Sequence, residues 1–276
     1  MITAGRTGLA IIGGGKIGEA LLAGLVRQGG DGAAGGELFV VERNSTRAAE
    51  LADRHGVTAV DLAGAAARAR VLLLAVKPQD IDTLLAGLAG HVTAEHLVVS
   101  VAAGVPTSRI EAVLPPGTPV VRVMPNTPAL VDAGMSVISA GAHATDEHLA
   151  EAEALLSPVG EVRRVPESQQ DAVTALSGSG PAYFFFLVEA MIDAGILLGL
   201  PRSVAADLIV QTAYGSAVML RESGEHPVQL REAVTSPGGT TIAAIRELER
   251  HGVRAALIAA IEAAHDRSVE LGRAAD

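Results

Sequence analysis

The sequence predicts an α/β fold, a doubly wound sheet followed by an all-helical second domain, and three observations carry that prediction. Up to about residue 165, short β-branched runs alternate with Ala/Leu-rich stretches, the pattern of parallel strands joined by crossover helices. A Gly-rich turn, Gly13-Gly14-Gly15-Lys16-Ile17-Gly18, follows the first apolar run directly. After Val165-Pro166-Glu167-Ser168-Gln169 the strand signals stop and long helical patterns take over. A chain of 276 residues is long for one minimal domain, so two are expected, 1–165 and 166–276.

The elements follow in order. Strands are expected at Leu9–Ile12, Leu38–Glu42, Val71–Val76, Leu97–Val101, Val120–Met124, Ser136–Ser139 and Glu161–Val165, with helices near 16–28, 45–55, 79–89, 106–113 and 145–157. In such a sheet the ligand crevice opens at the carboxyl ends of the strands. The helical third is punctuated by Gly199-Leu200-Pro201, by Gly224 with Pro227, and by Gly252. A helix over 182–198 is apolar around most of its circumference, which suits either a buried central helix or an oligomer interface.

Composition excludes several functions. Lys+Arg total 21 against 31 Asp+Glu, a net charge of −10, with no basic run, no Trp and only four Phe and two Tyr, so nucleic acid is not an expected partner. Cysteine is absent, which removes disulfides, thiolate metal sites and a cysteine nucleophile and fits a reducing cytoplasm. The start, Met1 to Arg6, lacks the pattern of a signal peptide, and the apolar stretch Ala182–Leu200 is interrupted by Glu189 and Asp193, so no membrane span is expected. The histidines form no HExxH, and His91/His96 and His143/His148 are spaced wrongly for one helix face, so no metal site is expected either.

The Gly13-x-Gly15-x-x-Gly18 turn lies between a strand and a helix, with a second strand ending at Glu42, and this context reads as dinucleotide binding. Glu42 suits a ribose 2′-hydroxyl, whereas Arg43, Asn44, Ser45 and Arg47 offer donors to a 2′-phosphate; if Glu42 turns away, the donors favour NADPH over NADH. Ala75-Val76-Lys77-Pro78-Gln79, Ala102-Ala103-Gly104 and Met124-Pro125-Asn126-Thr127-Pro128 each end a strand and belong over the same crevice. Ser177-Gly178-Ser179-Gly180-Pro181-Ala182-Tyr183 reads as a capped helix start, with Pro181 at the first turn and glycines that admit a ligand. Thr235-Ser236-Pro237-Gly238-Gly239-Thr240-Thr241 reads as a second helix N-terminus, with Ser236 as cap and Pro237 in the first helical position, suited to a small carboxylate. Two anion sites in one chain suggest a soluble reductase acting on an acid.

GGGKIGEA, AVKP, MPNTPA, ESQQDAVTALSGSGPAY and EHPVQLREAVTSPGGTT, in that order across nearly the whole chain, resemble pyrroline-5-carboxylate reductase. The SGSGPAY and TSPGGTT pair is the specific part, since the early motifs are shared with β-hydroxyacid-type dehydrogenases. The resemblance implies a Rossmann domain, an all-helical dimerisation domain, often a decamer of five dimers, and reduction of L-Δ1-pyrroline-5-carboxylate to L-proline by NADP(H), with NAD(H) also admitted. Carried over by position, it assigns Ser236 and Thr241 catalytic roles and Glu167, Ser179, Gly239, Thr240 and Thr241 contacts with the substrate. Gly13, Gly14, Gly15, Lys16, Ile17, Gly18, Arg43, Asn44, Ala75, Val76, Lys77, Pro78, Ala103, Met124 and Asn126 fall to the cofactor. Two positions depart from the family pattern: Asp61 stands where members often carry Asn, and Glu42 where a strict NADP enzyme avoids an acid. A 3-hydroxyacid dehydrogenase would carry an acid/base Lys early in its helical domain, and Pro181–Leu200 contains none. A silent NAD(P)H sensor would have no need of the TSPGGTT anchor.

Overall fold

A computed structural model describes residues 8–27 and 36–273. Met1 to Arg6 and the last residue of the helix expected over 16–28 lie outside the described residues. The strands are β1 (Gly8–Ile12), β2 (Leu38–Val41), β3 (Thr58–Ala59), β4 (Ala69–Leu74), β5 (Leu97–Ser100), β6 (Val120–Met124), β7 (Gly134–Ala140) and β8 (Gly160–Arg164). They form one sheet in the order β3-β2-β1-β4-β5-β6-β7-β8. Pairing is parallel except between β6 and β7, where Val123 faces Ile138 in antiparallel register. The connection Pro125–Ala133 is too short for a crossover, so the chain turns back instead.

Between its edge strands β3 and β8, the sheet is buried on both faces because its strands alternate between two cores. Leu9, Ile11, Val40, Leu73, Val99 and Val121 meet α1 (Lys16–Arg27), α2 (Ser45–His55) and α6 (Asp146–Leu156) through Leu21, Leu51 and Leu155. Ala10, Ile12, Phe39, Leu72, Leu74 and Val98 meet α3 (Leu62–Arg68), α4 (Ile81–Leu88) and α5 (Thr107–Glu111) through Ala66, Leu85 and Ile110. This is the two-sided winding that apolar runs of parallel strands imply. Each fully buried Leu in these layers contributes about 1.5–3 kcal/mol relative to exposure. Two elements were not anticipated. β3 has only two residues, below the length at which periodicity is visible, and α3 occupies an Ala-rich tract whose start is marked by Asp61, which accepts from Gly64 N at 2.7 Å.

The remaining helices are α7 (Gln170–Val173), α8 (Gly180–Leu197), α9 (Arg202–Glu222), α10 (Pro227–Ala233), α11 (Thr240–Arg250) and α12 (Val253–Arg273). The sheet ends at Arg164, beside the expected boundary, but the compact units are divided differently: Met1–Ser179 with Ala264–Asp276 form one, and Gly180–Ala263 the other. The physical reason is that α7 belongs with the sheet, where Gln170 is buried and donates from its Nε2 to the Val137 carbonyl at 3.2 Å and the Ser139 hydroxyl at 2.8 Å. The end of α12 also belongs there, tied by Ser268 Oγ donating to Asp171 at 2.7 Å.

The second unit contains α8 to α11 and the start of α12. Gly195 of α8 packs closely on α9, where an added Cβ would lie 2.9 Å from that of Ala205. Its apolar surface is otherwise open: Phe184, Phe185 and Phe186 are 67%, 67% and 70% exposed, and Leu197 and Leu198 are 88% and 86% exposed. By length and composition alone, Glu167–Leu197 and Arg202–Glu222 are long and apolar enough to cross a membrane, which is weak evidence for a span because apolar helices of soluble proteins share those features.

Candidate functional site

In the first unit a cavity of about 420 Å³ opens at the carboxyl ends of β1, β2 and β4, where the strand order reverses. It is lined by Gly13, Gly14 and Gly15 from the β1–α1 turn, Glu42 and Arg43 beyond β2, and Ala75, Val76, Lys77, Gln79 and Asp80 beyond β4. Each glycine of the turn has its own reason. Gly13 has φ 113°, and a Cβ there would lie 2.5 Å from the Ala75 carbonyl oxygen. Gly18 packs on the Gly13 carbonyl, whereas a Cβ on Gly15 would meet nothing within 4 Å. Close packing thus fixes the first and last glycines, and the middle one leaves its backbone open to a ligand.

The Gly14 peptide is gripped from both sides. Its N–H donates to Glu42 Oε2 at 2.7 Å, and its carbonyl accepts from Arg47 Nε at 3.2 Å. Glu42 therefore does not turn away; its other oxygen accepts from Asn44 N at 3.0 Å. Arg47 is committed as well, to Glu19 at 2.5 Å and Glu50 at 3.4 Å. Asn44 caps α2, accepting from Arg47 N at 3.1 Å. Of the side chains expected to greet a 2′-phosphate, Arg43 is the one facing the cavity, and it pairs with Asp80 at 3.1 Å. Burial works against ionisation of Glu19, but hydrogen bonds from Arg47, His55 and Arg54 outweigh it and hold the carboxyl below the ordinary range.

The other expected cofactor residues do not line this cavity. Lys16, Ile17 and Gly18 begin α1 just behind it, Pro78 opens a short 3-10 turn over Pro78–Asp80, and Ala103 is exposed beyond β5. Met124 ends β6 and packs against Gly178. Asn126 is a tie: its Nδ2 donates to the Ser177 carbonyl at 3.1 Å while its Oδ1 accepts from Met135 N at 2.8 Å. Asp80, Thr83 and Leu84 line the cavity without having been singled out. A 3-10 turn returning to a strand end carries no strong sequence signal.

Ser177–Ser179 is not a capped helix start. Thr174–Gly178 is a π-helical turn between α7 and α8, with Ser179 N donating to the Thr174 carbonyl at 2.8 Å and Pro181 second in α8. In an α-helix the Ser177 carbonyl would accept from residue 181, but proline has no N–H, so Asn126 supplies the missing donor. Turns of this kind concentrate at functional sites. Glu167 is likewise occupied: Thr107 N and Oγ1 donate to its two oxygens at 2.8 and 2.6 Å, and buried Arg122 lies 3.3 Å away. In this structure it ties the segment leaving the sheet to α5 and β6.

In the second unit, Ser236 and Pro237 do not begin a helix. Ser236-Pro237-Gly238-Gly239 is a β-turn closed by Gly239 N donating to the Ser236 carbonyl at 3.0 Å, with Gly238 at φ 69°. Proline second and a positive-φ glycine third define the type II turn. α11 starts three residues later than expected, at Thr240, after Gly239. Its first intrahelical donor is Ala243 N, to the Gly239 carbonyl at 3.4 Å, so the N–H groups of Thr240, Thr241 and Ile242 have no partner within the helix. That leaves a positive helix end with an exposed, glycine-flanked approach, suited to a carboxylate. Among the described residues no cluster of His, Asp or Glu could hold a metal ion.

Comparison with known proteins bears on both units. Residues 167–271 match the family model for pyrroline-5-carboxylate reductase dimerisation, and residues 8–104 match that for coenzyme F420-dependent NADP oxidoreductases. The chain is 48% identical to pyrroline-5-carboxylate reductase of Mycobacterium tuberculosis over 97% of each protein. It is similar in structure to the Coxiella burnetii pyrroline-5-carboxylate reductase, with a TM-score of 0.89 and 37% identity over 97% of this chain and 99% of that one. The Plasmodium falciparum pyrroline carboxylate reductase, solved with NADP bound, gives a TM-score of 0.83 at 26% identity over 97% and 98%.

Proposed function

The chain belongs to the pyrroline-5-carboxylate reductase family, and from that premise we propose that it reduces L-Δ1-pyrroline-5-carboxylate to L-proline, the last step of proline biosynthesis. The observation that carries the reading is the uncapped start of α11 behind the Ser236–Gly239 turn, a carboxylate receptor in a chain that also carries a dinucleotide crevice. NADP(H) is the cofactor, with NAD(H) also accepted, and when bound it supplies the hydride. Gly15 offers open backbone to its phosphates and Arg43 meets its ribose end, with Lys77 and Val76 forming the opposite wall.

The substrate carboxylate is held by the N–H groups of Thr240 and Thr241, approached past Gly239 and Ser236. The cyclic imine is basic enough to be partly protonated near neutral pH, and hydride addition to the iminium cancels its charge. The protein therefore need not supply a strong acid in the transition state. The Thr241 hydroxyl serves by accepting a hydrogen bond from the ring nitrogen, with Ser236 on the turn that precedes α11. What remains is positioning, which contributes several kcal/mol when the reacting carbons are held about 3–3.5 Å apart. Glu167, with both oxygens engaged, contributes by fixing its segment.

The exposed apolar faces of α8 and α9 fit a homodimer formed through the C-terminal helices of a soluble, cytoplasmic protein, and five such dimers would make a decamer. The test is the initial rate of NADPH and of NADH oxidation with the imine. Saturable, imine-dependent turnover yielding proline is expected, and oxidation of neither cofactor would refute the reading.

A further inference from the structure

We propose that Asp80 is a discriminating residue for the dinucleotide, acting through Arg43; the inference rests on the crevice being the NAD(P)H site. The geometry is specific. Arg43 follows β2 and Asp80 closes the 3-10 turn after β4, strands that lie on either side of β1, so their 3.1 Å ion pair spans the mouth of the cavity above the end of β1. Both residues line that cavity. Arg43 is 78% exposed along its side chain and Asp80 30%, so the cation stands open to solvent while the carboxylate lies in the wall.

The chemistry follows from what each cofactor brings. A ribose 2′-hydroxyl asks for an acceptor, which Glu42 already offers beside Gly14. A 2′-phosphate brings about two negative charges to a corner holding Glu42 and Asp80, and its single facing guanidinium is engaged by Asp80. Arg47 cannot relieve it, because it holds the Gly14 carbonyl and Glu19. NADPH must therefore draw Arg43 from Asp80, whereas NADH leaves the pair intact. Asp80 thus taxes the phosphorylated cofactor selectively and keeps the enzyme open to both.

The test is calorimetric binding of NADP⁺ and NAD⁺ to wild type, Asp80→Asn, Asp80→Glu, Arg43→Gln and the Arg43→Gln/Asp80→Asn pair, with kcat/KM for both reduced cofactors alongside. Asp80→Asn should tighten NADP⁺ about 5-fold, the scale of one exposed ion pair, and leave NAD⁺ within about 2-fold. Asp80→Glu should retain the wild-type ratio, and in the Arg43→Gln background Asp80→Asn should no longer favour NADP⁺. Equal shifts in both nucleotides, no shift, or a gain for NADP⁺ that survives loss of Arg43 would overturn the proposal. A wild-type protein that binds neither nucleotide would overturn the crevice assignment itself.

Discussion

At the scale of single residues, the proposed function rests on backbone more than on reactive side chains. Gly13 was legible because its positive φ leaves a mark that sequence can carry, a glycine at a strand-to-helix turn, whereas Gly238, expected within the first turn of a helix, is the third residue of a β-turn. Asn126 and Glu167 were read as ligand contacts, yet both are satisfied internally, and their partners, Ser177 and Met135 for one and Thr107 and Arg122 for the other, are distant in sequence. No spacing rule reports such pairs. Thr241 stands differently, half-buried at the second position of α11 with its N–H free of the helix ladder. Thr241→Ala should keep the fold and NADP⁺ affinity while kcat/KM for the imine falls about 10- to 100-fold, the worth of one hydrogen bond to a charged group. Steady-state kinetics with unchanged constants would remove Thr241 from the mechanism.

At the scale of elements, most of the sheet was readable because its central strands are continuous apolar runs between helical periods, and each of the seven expected strands starts within two residues of expectation. The reversal at β7 and the π-helical turn were not, since both depend on partners elsewhere: the short Pro125–Ala133 return, and Asn126 answering the carbonyl that Pro181 orphans. The glycine turn is braced by neighbouring helices, with Glu19 of α1 holding Arg47 and Arg54 of α2. The Glu19 pKa lies below its unfolded value of 4.5. The stabilisation is therefore complete above that value and is lost as pH falls through the lower folded value. Glu19→Gln should lower Tm by a few degrees at pH 7, and the gap should close as both proteins are taken well below pH 4.5, as followed by circular dichroism. A gap that persists into acid would assign the effect to packing.

At the scale of the molecule, the two units make unequal use of their apolar residues. The sheet unit buries most of its large aliphatics, while α8 and the turn after it leave three adjacent phenylalanines and a pair of leucines in the open. Sequence periodicity alone leaves such a helix either at the centre of a core or at an interface. Exposure in the single chain and the match to a dimerisation family favour the interface, and the apolar composition that such a face requires is also what makes these helices resemble membrane spans. Upon this frame hangs the central claim, that the glycine-flanked start of α11 grips the carboxylate of a small cyclic amino acid. The most direct measurement is a crystal structure of the protein soaked with L-proline. The account predicts proline with its carboxylate on the backbone N–H groups of Thr240 and Thr241; density for the amino acid elsewhere, with that helix end vacant, would contradict it.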